Sequence, residues 1–253
     1  MKALVCHLLP GSLYSMKVPF THQSGLVYPL PPPSTVKGLL ANALQRYDDI
    51  GPLEALAEVE REVRCLGAYP LSPIVLKTHI VSSVNAFELN AGGKATDALS
   101  RQFAFTHRLG VAVIGDAEPF LERLATALSR SAVYLGDSES PVSCADIAIE
   151  ELSVRPGSMG EAIATRLYVP VPWIEGYAAE HEIYWVHTEC WRPQALHPYL
   201  FALTRRGDIL LPATIEGRLA QPAEIAEGAT CGRVVIPPQV ARVQPRPRRR
   251  RNT

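Results

Sequence analysis

Four of the five residues from 29 to 33 are proline (Pro29, Pro31, Pro32 and Pro33), and no other stretch limits the chain so tightly. Proline has no backbone N–H and a locked φ, so such a run continues neither a sheet ladder nor a helix interior. With Gly11, Pro19 and Gly25 it makes residues 10–33 an ordered, extended connector. The segment before it is short: residues 3–9 are apolar enough for a buried strand. Beyond the prolines the pattern is helical, through Val36, Leu39, Leu40, Ala43, Leu44 and Tyr47, with the hydroxyls of Ser34 and Thr35 placed to cap the first turn.

A second helix is predicted over residues 52–65. Residues 74–84 and 101–114 read as strands flanking a polar stretch with Asn90, Gly92, Gly93 and Lys94, which makes a hairpin with a long polar tip. Such a loop inside a compact domain is functional or disordered. Residues 119–130 form an amphipathic helix on Phe120, Leu121, Leu124, Ala127 and Leu128, and residues 142–152 a further strand. The order β-α-β-β-α-β is that of an α+β, ferredoxin-like fold, in which an antiparallel sheet carries two helices on one face and leaves the other free. Beyond Arg155-Pro156-Gly157 the pattern changes to short strand-like pieces (166–171, 182–187, 233–236) between proline- and glycine-rich turns. The expected organisation is a first domain over 1–154, a smaller, mostly β C-terminal domain over 155–241, and a basic tail over 242–253 too polar to fold alone.

The 253 residues, 47% hydrophobic, suffice for a sizeable core. No apolar run approaches the roughly 20 residues that span a bilayer, so a soluble, cytoplasmic protein without membrane partners is expected. The five cysteines (Cys6, Cys65, Cys144, Cys190, Cys231) are scattered and read as free thiols rather than metal ligands. Net charge is zero, but its distribution is uneven: residues 1–47 hold no Asp or Glu, and every lysine lies at or before Lys94. Between 111 and 240 the balance reverses, with Asp116, Glu118, Glu122, Asp137, Glu139, Asp146, Glu150 and Glu151, before the terminal arginines Arg248 to Arg251. A carboxylate-poor leading segment suits a polyanion; the terminal arginines suit either phosphate contact or a solvated tail.

The strongest local feature is the passage from Tyr28 through the prolines to Ser34, Thr35 and Lys37. There the unpaired N–H groups of a helix start, two hydroxyls and an ammonium can converge on a phosphate. The competing reading is an ordinary capped helix in which Gly38 permits close packing on the sheet. The block YPLPPPSTVKGLLANAL, after an opening strand and the segment SLYSMKVPF, resembles the amino-terminal signature of CRISPR-associated Cas-five proteins, and AVYLGDSES resembles their turn after the sheet domain's second helix. The resemblance covers residues 3–152. It implies an RRM-like domain with a β-hairpin thumb at about 74–114 that binds CRISPR RNA, capping the five-prime handle of the guide in a type I Cascade complex. Cas-seven backbone subunits and the large subunit are the implied protein partners, with target DNA met only indirectly. Carried over by position, it points to Lys17, Tyr28, Ser34, Thr35 and Lys37, and to Gly136 and Ser138 in the turn; Arg46 lies close by.

The hairpin fits that picture on its own chemistry. It carries Lys77, His79, Lys94, Arg101, Gln102, His107 and Arg108 against only Glu88 and Asp97. One strand face can present Arg101, Phe103, Phe105 and His107 together, cations for phosphates and rings for splayed bases. The same phenylalanines serve equally as sheet core. No phosphate loop, metal motif or nucleophile elbow is present, so no cofactor or metal is expected. The seven histidines are scattered, and no pair stands at a spacing that makes a site. A non-catalytic subunit is therefore the leading expectation. The alternatives are a metal-independent endoribonuclease that processes the precursor RNA and a structural subunit without RNA contact.

Overall fold

The computed structural model describes residues 1–19, 21, 24–84, 91, 96–136, 140–190 and 195–237. The expected hairpin tip with Lys94, Ser138 in the later turn, and the basic tail lie outside them. The chain is mostly β, 50% strand and 21% helix, with a curled half-barrel sheet. Its elements are β1 (Lys2–Pro10), β2 (Ser24–Gly25), α1 (Pro33–Asp48), α2 (Pro52–Glu62), β3 (Val63–Pro70), β4 (Ile74–Val84), β5 (Thr96–Phe105), β6 (Leu109–Gly115), α3 (Glu118–Arg130), β7 (Val133–Tyr134) and β8 (Pro141–Glu151). The later part adds β9 (Ser153–Gly157), β10 (Ala162–Thr165), β11 (Val169–Pro170), β12 (Ile174–Glu175), β13 (His181–His187), β14 (Leu196–Arg206), β15 (Ile209–Pro212), β16 (Ile215–Leu219), β17 (Ala223–Gly228) and β18 (Gly232–Ile236).

The first sheet has the order β3-β6-β1-β8-β7, antiparallel throughout. Leu4, Cys6 and Leu8 of β1 face the helices and share a core with Val36, Leu40 and Leu44 of α1 and Leu121, Leu124 and Leu128 of α3. Ala3 and Val5 point the other way, as alternation along a strand requires. That second face is not free: Leu167, Ala226, Val234 and Ile236 cover it together with Ala112 and Ile114 of β6. Every residue of β6 is buried, which explains its unbroken apolar run.

Three local expectations are corrected. α2 ends at Glu62, and residues 63–65, read as its last turn, begin β3, whose apolar residues find their ladder partners on β6. The span 101–114 is two strands in different sheets, split at a corner where the buried Thr106 hydroxyl donates to the carbonyl of Pro73 (2.9 Å) and the Ser72 hydroxyl accepts the N–H of Arg108 (2.9 Å). α1 is not capped by Ser34 or Thr35. It starts at Pro33, with the Pro32 carbonyl accepting from the N–H of Val36 at 3.0 Å, so the last proline of the run is the first helical residue.

The hairpin β4–β5 is built into a seven-stranded sheet, β11-β14-β15-β4-β5-β2 with β13 on β14. Ile209 and Leu210 of β15 pair with Val75 and Ile74, so strands from the later part of the chain extend the hairpin. Two three-stranded sheets, β10-β16-β12 and β18-β17-β9, complete the strands described. The five cysteines are unpaired, Cys6 and Cys231 fully buried. Among the described residues no helix is long and apolar enough to cross a membrane.

Candidate nucleic-acid interface

The connector after β1 folds back on itself against the hairpin. Tyr14 exchanges backbone hydrogen bonds with Ala104 of β5 at 2.9 Å in both directions, the N–H of Tyr28 donates to the Met16 carbonyl (2.8 Å), and Lys17 bridges Val27. This lays Ser15, Met16 and Lys17 between the hairpin base and the helices. Tyr28 is a packing residue, not an exposed one. It is 3% exposed, its hydroxyl donates to the carbonyl of Trp185, its ring meets Tyr184 edge-on, and burial pushes its pKa up to about 12.

On α1 the residues Thr35, Gly38, Leu39, Asn42 and Arg46 recur at helical spacing and share one face. With Tyr134 of β7 and Gly136 of the following turn they line a groove of about 490 Å³. The Arg46 guanidinium lies over the Tyr134 ring, 5.4 Å from its centroid. Gly136 has φ +91°, and a Cβ on it would stand 2.7 Å from Cγ of Met16 and 3.0 Å from the Ser15 carbonyl oxygen, so both conformation and space demand glycine.

Ser15 joins this groove to the hairpin, for its hydroxyl accepts from Nε of Arg101 at 3.3 Å. Arg101 also lies over the Phe103 ring (4.9 Å), which His79 meets edge-on at 5.8 Å. Gly25 sits between Arg101 and Lys17, with both side chains within 4 Å of where its Cβ would be. A strip thus runs from Lys17 and Arg101, past Ser15 and Gly136, to Arg46 and Thr35. Among the described residues no carboxylate lines its groove.

The other predicted residues are placed elsewhere. Lys37 follows Thr35 by two positions, about 200° around the helix, so it leaves the groove face. There it bears on Cys190, whose thiol is raised by burial and partly lowered again by that ammonium, and whose S–H donates to the Ser34 carbonyl. Lys77 is paired with Asp208 at 2.6 Å, and Gln102 accepts the N–H of Val27 at 3.2 Å. His107 is exposed beside Phe105, in the corner after β5 rather than on its face. Arg108 lies 3.8 Å from Asp146, which holds Nδ1 of His7 at 2.8 Å from a β-bulge with φ +49°. His7, between the helix-facing Cys6 and Leu8, lies on the sheet face away from α1. Sequence reasoning passed over Ser15 and Asn42, and took Tyr134 as part of the turn motif but not as a site residue. The recurrence at 35, 38, 42 and 46 was the one signal available for Asn42.

The family model described as CRISPR-associated protein (Cas_Cas5) matches residues 5–196. The chain belongs to the Cas-five family. The match reaches past the motif-bearing residues 3–152 and takes in every side chain of the strip. Among solved structures, this Cas-five chain is similar to a CRISPR protein from Archaeoglobus fulgidus, with a TM-score of 0.57 and 15% identity over 94% of this chain and 100% of that one. At that identity the likeness is one of fold. Looser similarity links it to a chain of a CRISPR RNA-guided surveillance complex (TM-score 0.40, 15% identity, 83% of this chain and 91% of that one). A chain of a Type III-B Cmr-beta complex bound to cognate target RNA and AMPPnP is comparable (0.48, 10%, 86% of each). No curated protein matches the sequence.

Proposed function

We propose that this Cas-five protein is a non-catalytic, RNA-binding subunit of a type I Cascade complex, holding the five-prime handle of the guide RNA along the Lys17–Arg101–Ser15–Gly136–Arg46 strip. The pairing of Arg46 with Tyr134 and of Arg101 with Phe103 along that strip, beside a groove that no carboxylate lines among the described residues, carries the reading. Single-stranded RNA is held by cations on phosphates and by flat groups that stack on bases. Arg101 with Phe103, and Arg46 with Tyr134, offer both kinds of group side by side. Family membership supports the CRISPR setting, and Cas-seven backbone subunits and the large subunit are the protein partners it suggests. The strand order β3-β6-β1-β8, with helices between β1 and β3 and between β6 and β8, supports reading the first sheet as ferredoxin-like. Because its helix-free face is covered, the RNA path on this reading uses the helix side and the hairpin base.

The endoribonuclease reading rests on a different observation, the His7–Asp146 pair with Arg108 beside it, on the opposite face of the sheet. One experiment addresses both. Photo-crosslinking the protein to end-labelled precursor RNA in EDTA should yield adducts at peptides bearing Lys17, Arg101 or Arg46, on the leading nucleotides of the guide, and no shortened RNA. Adducts elsewhere only would refute the strip as the RNA path, and no adducts at all would refute the RNA-binding reading. A discrete cut that His7→Ala abolishes would establish the enzyme instead.

A further inference from the structure

A cleft of about 690 Å³ lies apart from the strip. The start of β3 and the turn after β6 wall it on one side, and β9 and β17 of the later part wall it on the other. Along β1, Lys2 stands beside Gly115 at this end of the first sheet, while Pro10 leads into the connector at the other. The cleft is therefore at the far end of the sheet from Ser15 and Lys17. Its charged lining is Glu62, Asp116 and Glu224 against Arg61 and Arg64, one acid more than the bases. Arg64 lies 2.9 Å from Glu224 and 3.6 Å from Asp116, bridging a carboxylate of the first sheet's end to one of the later part. Both carboxylates stay open to a further partner, for the Asp116 side chain is 64% exposed and that of Glu224 is 45% exposed. An ionised carboxylate has about four acceptor sites, more than Arg64 fills.

Pro156 and Pro222 add apolar surface beside these acids. One unmatched negative charge next to apolar walls fits a single guanidinium, whose planar fork meets carboxylates two bonds at a time and whose weakly hydrated face tolerates apolar contact. The chain itself brings such groups to the rim. β18 pairs with β17 so that Ile236 stands opposite Glu224. Continuing that register puts Pro237, where the described part of the chain ends, opposite the cleft residue Ala223, about 5 Å away. Residues 238–253 follow, with six arginines and no aspartate or glutamate. The first of these, Arg242, is five positions beyond Pro237, a reach of up to about 17 Å. We infer that this cleft is the docking site of the chain's own carboxy-terminal arginine segment, with the guanidinium of Arg242 seated between Asp116 and Glu224. Docked there, the segment ties the later part of the chain to the end of the first sheet and keeps its positive charge away from the strip.

The test uses the full chain without RNA. Arg242→Lys introduces an amine that a carbodiimide joins to a carboxylate in contact with it. Mass spectrometry should then find residue 242 linked to Asp116 or Glu224 of the same chain, and salt at about 1 M should suppress the link. Without that substitution, trypsin should cut after Arg242 about 2- to 5-fold more slowly than it does in Asp116→Asn, the difference one exposed ion pair makes. Cleavage between Arg249 and Arg250 should be the same in both proteins, which a misfolded variant would not show. Links from residue 242 to other acids only, links between chains, or no link would each overturn the inference, as would equal cutting after Arg242. Adding a short single-stranded RNA separates the other occupant: if RNA protects the bond after Arg242 and Asp116→Asn does not expose it, the arginines serve a polyanion and the cleft is not their site.

Discussion

Removing cations from the strip should change the salt dependence of RNA binding by a calculable amount. Three side chains, Lys17, Arg46 and Arg101, are placed along it, and each phosphate neutralised on a single strand contributes about −0.7 to the slope of log K against log salt. Three contacts give a slope of about −2, or roughly a 20-fold loss of affinity between 50 and 200 mM salt. The double variant Arg46→Gln, Arg101→Gln leaves one contact, a slope of about −0.7 and a loss of roughly threefold over the same range. Fluorescence anisotropy of a labelled short RNA, titrated at several salt concentrations, measures both slopes. Lys77→Gln with Arg108→Gln is the control, because these cations are paired with Asp208 and neighbour Asp146 away from the groove. The control should keep the wild-type slope. If the control flattens the slope and the strip variant does not, the RNA follows another path and the charge argument is wrong.

Two further outcomes concern the scaffold. Gly110→Ala places a methyl group where the Tyr69 ring lies, between two ladder partners in the middle of the first sheet, so overpacking should cost about 1–3 kcal/mol. In a chain of this size each kcal/mol lowers the melting temperature by about 2–4 °C, and calorimetry showing no decrease would contradict the described packing. The Glu182 carboxylate accepts Nε and Nη2 of Arg205 at 2.8 and 2.9 Å, and these bonds lower its pKa, outweighing partial burial. A carboxyl depressed on folding adds stability above its unfolded value, near 4.3, which is lost as pH falls through the folded one. Glu182→Gln should therefore be less stable than wild type at neutral pH, by about 1 kcal/mol, with the difference shrinking below about pH 4 in urea melts. A difference that does not change with pH would show that the pair contributes no linkage.

Features that depend on a few consecutive residues were legible in the sequence. The proline run ends the connector and starts α1, the spacing of Phe120, Leu121, Leu124 and Leu128 makes α3, and the lack of acids before Asp48 marks the basic end of the chain. These features arise from φ restriction, helical periodicity and composition, none of which needs a distant partner. The family likeness was legible for the same reason, being carried by two contiguous blocks.

Features that depend on a partner far along the chain were not. Residues 63–65 fit a helix end as well as a strand until β6 supplies a ladder. Tyr28 has the composition of a stacking residue, yet the carbonyl of Trp185, 157 positions away, takes its hydroxyl into the interior. Lys77 adds to a basic hairpin in sequence and to an ion pair in space, because Asp208 lies 131 positions on. The groove exists only where β7 and its turn come against α1, so it was invisible beforehand. Local energetics selected the elements; long-range pairing and burial, which cancel some charges and expose others, decided which of them form a binding surface.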